Sequence, residues 1–245
     1  MRATVHVLDE DPDLAEHLGP QRLLAARRDC VAQTLRVSSG RWNPQTDIGD
    51  IRYGIGLLIL EGLFVRRVGM GGRFGAEILG EGDLLRPWQH EEQGTTLPRT
   101  GAWRVLRSGR VAVLDADFAF RAGRYPEVIS TLFARAIRRS RHMAVDMAII
   151  HQPRIDLRLH MFFWCLADRF GTVRPDGVHV PVRLTHAMLG ELIAARRPTV
   201  TKALGELAER ELVSWNGEDW LLTGSPPAEL AEIGSVSLEA GAASG

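Results

Sequence analysis

Five hydrogen-bond donors crowd a short stretch of the chain: Arg196, Arg197, Thr199, Thr201 and Lys202. Guanidinium, ammonium and hydroxyl groups at this spacing suit phosphate oxygens and the edges of base pairs, and an arginine fork matches guanine O6 and N7. Such donors read DNA only if an element carries them into a groove. The surrounding residues supply one. Thr185 can N-cap a first helix, behind which Met188, Leu189, Leu192 and Ile193 recur at helical spacing. Ala194-Ala195-Arg196-Arg197 makes a short turn, and Pro198 falls in the first turn of a second helix, where proline is tolerated best. That helix is expected over Thr199 to about Arg210, with Val200, Leu204 and Leu207 on one face. Its leading third is basic and polar, while Glu206, Glu209 and Glu211 crowd its far end. A groove-reading helix needs this polarity, because its N-terminus points at the DNA. Leu212–Trp215, Asn216-Gly217 and Trp220–Leu222 then form a hairpin on an Asn-Gly turn. Two helices followed by a hairpin describe a winged helix-turn-helix that docks on double-stranded DNA. His186, early in the first helix, is a further candidate for the DNA backbone. A plain helical subdomain with solvated arginines is the alternative, and it leaves the polarity of the second helix unexplained.

The rest of the chain must position this module. It has 245 residues, 45% hydrophobic and 24% charged, with 30 basic and 30 acidic side chains. Those are the proportions of a soluble globular protein with room for two cores. Zero formal charge means that any field attracting DNA is local. Lys202 is the only lysine; arginine carries the remaining positive charge. Cys30 and Cys165 stand far apart among apolar residues, so neither an iron-sulfur cluster nor a metal site is expected. No apolar run reaches membrane-spanning length and the N-terminus shows no signal pattern, so a cytoplasmic protein with reduced thiols and no membrane partner is expected.

Residues 1–28 read as an N-terminal extension with a polar helix over Pro12–Arg28. From Cys30 the texture changes to short β-rich runs: Val31–Val37, Gly56–Arg67, Arg73–Ile78, Trp103–Arg107 and Val111–Asp115. Glycine-bearing turns separate them at Gly69–Gly72, Gly80–Asp83 and Ser108-Gly109. Strands at this spacing imply a sandwich or barrel over residues 29–125. Pro126 opens a long helix, ending in a hinge at Gln152-Pro153. Ile129, Ala136, Met143 and Ile150 recur every seven residues, with Phe133, Ser140 and Met147 between them. Three heptads of this kind suffice for a two-stranded coiled coil, so 126–153 is expected to make a homodimer. A helix over Ile155–Phe170 and a Gly/Pro-rich turn region, Gly171–Pro181, complete a DNA-binding domain spanning 154–224. Residues 225–245 read as a disordered tail.

This order of β-roll, long helix and winged helix-turn-helix resembles the Crp-Fnr family of bacterial transcription regulators. The resemblance covers about residues 30–224. It rests on Leu184-Thr185, Leu189-Gly190, Leu192, Thr199-Val200, Leu204, Leu207 and Leu212-Val213, and in the roll on Gly62, Gly80 and Gly82-Asp83. It implies an α+β fold: an N-terminal jelly-roll-like, cyclic-nucleotide-binding-like domain, a dimerisation helix and a C-terminal winged helix-turn-helix. It implies a homodimer on a near-palindromic operator, acting with RNA polymerase. The family often reads bases with an arginine, an acidic residue next to it and an arginine four positions further on. Here those places hold Arg197, Pro198 and Lys202. Pro198 cannot accept from cytosine as a carboxylate does, so the operator should differ from the family's familiar one. Arg196, Thr199 and Thr201 are candidate phosphate clamps.

The effector pocket that the resemblance implies is less complete. Arg86-Pro87 stands where cyclic-nucleotide binders carry the carboxylate for the ribose hydroxyl. Arg99-Thr100 falls where they hold the cyclic phosphate, and Met143-Ala144 where they meet adenine. The effector is therefore expected not to be cyclic AMP; Arg86 and Arg99 suit another anion or are solvated. Nothing among the eight histidines marks a haem ligand. Three readings follow. One is a regulator with a sensor of undetermined ligand. Another is the same regulator with a ligand-free roll as dimerisation scaffold. The last is an enzyme built on His151, His160 or Cys165, for which no nucleophile, base and orienting group are visible.

Overall fold

The computed structural model describes residues 3–49, 53–70, 73–87 and 100–230. It divides into two compact units between Arg141 and His142.

The first unit is built around two 15-residue strands, β4 (Gly56–Met70) and β7 (Thr100–Leu114), paired antiparallel. The sheet order is β1-β2-β7-β4-β5, with β1 at Ala3–His6, β2 at Val31–Val37 and β5 at Arg73–Leu79. Short strands β3 (Gly40–Trp42) and β6 (Leu84–Leu85) add to β7 and β4, and a short helix α3 (Pro44–Ile48) follows β3. The run Leu57-Leu58-Ile59 is wholly buried because both faces of β4 are covered. Leu57 and Ile59 join Trp42, Phe64, Trp103 and Val111 in one cluster. Leu58 and Leu60 join Ala112, Leu114 and Phe118 in the other, roofed by helices α1 (Val7–Glu10), α2 (Pro20–Asp29) and α4 (Ala116–Ala122).

Two expectations need correction here. Ser108-Gly109 is no turn; β7 runs straight through it. The glycine is there because β4 is bulged opposite, and a Cβ on Gly109 would lie 1.9 Å from Glu61 O. Nor is the N-terminal extension one polar helix. Residues 3–6 pair with β2 as an edge strand, Val7 and Leu8 are fully buried, and the helical segment breaks before Gly19-Pro20.

Helix α5 (Pro126–Ile150) follows, and Val128 and Leu132 sink into the second cluster. Arg135 donates to the Asp11 carboxylate and to Gly82 O at 3.3 Å. Arg139 forks onto Glu77 at 2.6 and 3.1 Å and reaches Leu84 O at 3.3 Å. The first sixteen residues of α5 thus belong with the roll rather than to a separate segment.

The second unit takes the end of α5 and helix α6 (Ile155–Phe170). It continues with β8 (Thr172–Arg174), β9 (Gly177–Val180), α7 (His186–Leu192), α8 (Arg197–Glu209), β10 (Val213–Trp215) and β11 (Trp220–Leu222). Its antiparallel sheet runs β10-β11-β9-β8. Residues 171–181, expected as irregular turn, contain the β8–β9 hairpin instead. Pro175-Asp176 turns it, and Gly177 opens β9 at φ 141, where a side chain would strike Leu222 O at 2.4 Å. Phe163 of α6 stacks on Trp220 with centroids 4.7 Å apart, joining helix and sheet into one core. Of the expected tail, residues 225–230 are described and Ala228–Leu230 are helical; 231–245 lie outside the described residues.

Candidate nucleic-acid interface

Thr185 caps α7 as its residue type allows: its hydroxyl accepts from Met188 N at 3.2 Å. Leu189, Leu192 and Ile193 are buried beneath it. The chain then turns sharply, with Ala195 N donating to Gly190 O at 2.8 Å. That contact is open only to glycine, since a Cβ on residue 190 would come within 2.6 Å of Ala195 O. Ala194 holds the turn at φ 54, in the left-handed region. α8 begins at Arg197 with Pro198 in its first turn, and Val200, Ala203, Leu204 and Leu207 form its buried face.

The opposite face presents the expected donors. Arg196, Arg197, Pro198, Thr199, Thr201 and Lys202 are all exposed on the leading end of the helix. Among the described residues neither Arg196 nor Arg197 meets a carboxylate. Lys202 lies 3.6 Å from Glu206 with its side chain 80% exposed, a contact too solvated to hold it. The unpaired amides of the first turn add the positive end of a 13-residue helix. Thr201 departs from its expected role. Its hydroxyl donates to Arg197 O at 3.1 Å and accepts from His186 Nδ1 at 2.8 Å, so it fixes the two helices rather than standing free for a phosphate. His186 is thereby oriented, with Nδ1 engaged by α8.

The hairpin that follows carries a four-residue loop, not the tighter Asn-Gly turn, because Trp215 pairs with Trp220. Asn216 Oδ1 closes it, accepting from Glu218 N at 3.0 Å and Asp219 N at 2.8 Å. The tip carries Glu218 and Asp219, so the positive field stays on α8. One contributor escaped the sequence reading. Arg158 of α6 donates to Ile193 O at 3.3 Å, at the end of α7, from 35 residues away. No local pattern announces so distant a contact.

Of the expected effector residues, Arg86 is exposed in the first unit, and Met143, half-exposed, belongs to the second. Arg99 lies outside the described residues, and Thr100 opens β7. The residues expected in the dimer seam differ in exposure within the single chain. Ile129 and Ala136 pack against the core of the roll. Ile150 is half-buried. The large apolar side chains left exposed on α5 are Phe133, Ile137, Met143 and Met147, with Ser140 between them only partly covered. Burial pushes the Cys165 thiol up to about 12 and the Cys30 thiol to about 11. His160 accepts from Trp164 Nε1 at 3.0 Å and its pKa is held down by burial, while His151 is exposed. Among the described residues no cluster of three or more metal-ligating side chains occurs, and no helix is long and apolar enough to cross a membrane.

Residues 157–233 match the Crp-like helix-turn-helix domain. The second unit thus carries a Crp-like helix-turn-helix domain. The "CRP-like cAMP-activated global transcriptional regulator" of Mycobacterium tuberculosis is 29% identical over 154 residues, covering 60% of this chain and 65% of that protein. The "Global nitrogen regulator" of Synechocystis sp. is 35% identical over 77 residues, 31% of this chain and 34% of that one. The matches therefore span a third to just under two thirds of these relatives' length. CooA from Carboxydothermus hydrogenoformans, in a double-mutant structure, superposes with a TM-score of 0.59 at 14% identity, over 82% of this chain and 86% of its own. A CRP-family transcriptional regulator from Thermus thermophilus gives 0.55 at 19% identity, over 81% and 95%. The chain thus shares the fold of these regulators.

Proposed function

We propose that this chain is a Crp-Fnr-type, sequence-specific DNA-binding regulator of transcription, acting as a homodimer on a near-palindromic operator. The observation that carries this is the exposed, unneutralised leading end of α8, with Arg196, Arg197, Thr199 and Lys202 outward and the acidic side chains at its far end. Arg197 is the base reader, forking onto a guanine in each half-site; Lys202 donates to guanine or phosphate and Arg196 to phosphate. His186 approaches the backbone beside them. Dimerisation uses the α5 stripe of Phe133, Ile137, Ser140, Met143 and Met147. The half-sites then lie about one helical turn, roughly 34 Å, apart. RNA polymerase is the proposed protein partner and the cytoplasm the proposed compartment.

Binding-site selection at two salt concentrations tests this. Arg197→Ala is expected to relax the preference at one base pair per half-site, costing about 1–3 kcal/mol in each. Arg196→Ala is expected to weaken all sequences alike and to flatten the salt slope by about one unit for each phosphate the side chain no longer neutralises. A wild-type chain that selects no sequence would refute the proposal.

For the roll, a ligand-free scaffold has one specific observation in its favour. Arg135 and Arg139 of α5 already engage the carbonyls of Gly82 and Leu84, where the family's turn faces its effector. Arg86-Pro87 in place of a carboxylate further supports an effector other than cyclic AMP, if the roll takes one. Micromolar binding of cyclic AMP by calorimetry would overturn this part.

A further inference from the structure

Arg158 sits in the first turn of α6, half-buried, and its guanidinium spends its donors on main-chain carbonyls. Nε donates to Gln152 O, in the hinge that follows α5. Nη1 donates to Ile193 O at 3.3 Å and to Ala194 O at 3.5 Å. Ile193 is the C-cap of α7, where a cation meets the unsatisfied carbonyls of the last turn. Ala194 is the residue held at φ 54, a conformation that costs an alanine energy unless its surroundings impose it. Two residues further on lies Arg196, the N-cap of α8, and after it Arg197. One planar group thus joins the hinge to the strained turn that aims the reading helix.

A second tie runs to the other end of the same helix. Asp156, two residues before Arg158, accepts from Arg154, the N-cap of α6 directly after the hinge, and lies 3.4 Å from Arg210, the C-cap of α8. The Arg154 guanidinium beside Asp156 holds that carboxyl below its ordinary range, keeping it charged between its two partners. Both ends of α8 are therefore referred to the hinge through side chains of a single turn of α6.

We infer that Arg158 is a positioning residue for base reading: it holds the turn before α8 in register with the hinge, so that Arg197 meets its base edge. It touches no DNA itself. This rests on the DNA-binding function proposed above. An exposed arginine that merely solvated the unit would leave recognition unchanged when removed. A purely structural one would weaken every DNA alike, through the fraction of chains unfolded.

The experiment compares the full-length wild type with Arg158→Ala, Arg158→Gln and Arg158→Lys. Each is titrated with the selected operator duplex and with a random duplex of equal length, alongside thermal unfolding. For Arg158→Ala, operator preference over random DNA is expected to fall at least about tenfold, the size of one missing bidentate base pairing. Affinity for random DNA at low salt is expected to stay within about twofold, since phosphate contacts need only charge. Arg158→Lys, which keeps the charge and one donor direction, is expected to fall between wild type and Arg158→Ala. If Arg158→Ala does not fold, the ratio is read on Arg158→Gln, which keeps amide donors without the charge. Operator and random affinities that fall in parallel, or an unchanged ratio in every folded variant, would overturn the inference. Absence of any operator preference in the wild type would instead reject the DNA-binding proposal, so the two failures are distinguishable.

Discussion

Phe133 and Ile129 lie one helical turn apart on α5, and they differ in what covers them. Phe133 is 65% exposed, whereas Ile129 packs on the core of the roll. A phenylalanine offers about 200 Å² of surface, so covering the exposed share removes roughly 130 Å² from water. At about 25 cal/mol per Å² that is worth roughly 3 kcal/mol per protomer, of which an alanine would forfeit about 2. Each copy contributes this surface in the proposed dimer, so Phe133→Ala is expected to weaken dimerisation by about 4 kcal/mol, close to a thousandfold in dissociation constant. Thermal unfolding of the roll at high protein concentration should hardly move. Ile129→Ala is expected to do the reverse: it opens space in the core, lowers stability by about 1–3 kcal/mol and leaves the dimer constant of the folded chain within a few-fold. Sedimentation equilibrium across a wide concentration range, paired with thermal melts, separates the two. If Ile129→Ala dissociates the dimer and Phe133→Ala does not, the proposed seam lies on the wrong side of α5. A monomeric wild type would reject the seam altogether.

Three further outcomes follow from single residues. Gly190→Ala places a Cβ 2.6 Å from Ala195 O, and such a collision in a packed turn is expected to cost about 1–3 kcal/mol and to depress operator binding. Gly205→Ala in exposed α8 meets nothing within 4 Å and is expected to raise stability by about 0.5–1 kcal/mol; equal effects of the two in chemical denaturation would contradict the turn geometry. The second unit should lose stability in mild acid. Burial holds His160 below its ordinary value of 6.5, so the unfolded chain takes up the proton first. The stability it contributes is complete above that value and is lost as pH falls toward the folded-state pKa. His160→Gln is expected to flatten this slope in melts between about pH 7 and about pH 5, the range around an ordinary imidazole, and an unchanged slope would remove His160 as its source.

The helices and the second hairpin were legible because their signals are local. Thr185, Pro198 and the 200/204/207 repeat each act within a few residues, and α7 and α8 follow from them. The same holds for β2, whose alternation fixes both its ends. Where the sequence misled, the cause was a contact from far along the chain. Gly109 looks like a turn glycine until Glu61 is seen against it. Val7-Leu8 reads as the edge of a polar extension, yet the two fill the core beneath β2 and β7. Asp176-Gly177 did carry a hairpin signal, flanked by Val173 and Val178, and was masked by Pro175, which forms the two-residue loop with Asp176, and by Pro181 beyond β9.

The site divides along the same line. Its outward donors stand in a seven-residue stretch, so residue type and helical phase were enough to find them. What orients those donors is spread over the unit: His186 fastens α7 to Thr201, and Arg158 fastens the turn. Heptad spacing likewise marked α5 as a partner-seeking helix but could not fix which face looks outward, because two faces of α5 carry apolar residues. Burial of Val128 and Leu132 and the ion pairs of Arg135 and Arg139 consume one face against the roll. The face proposed for a second copy is the one those contacts leave, with Phe133 and Ile137 exposed and Ile129 and Ala136 partly buried against the roll.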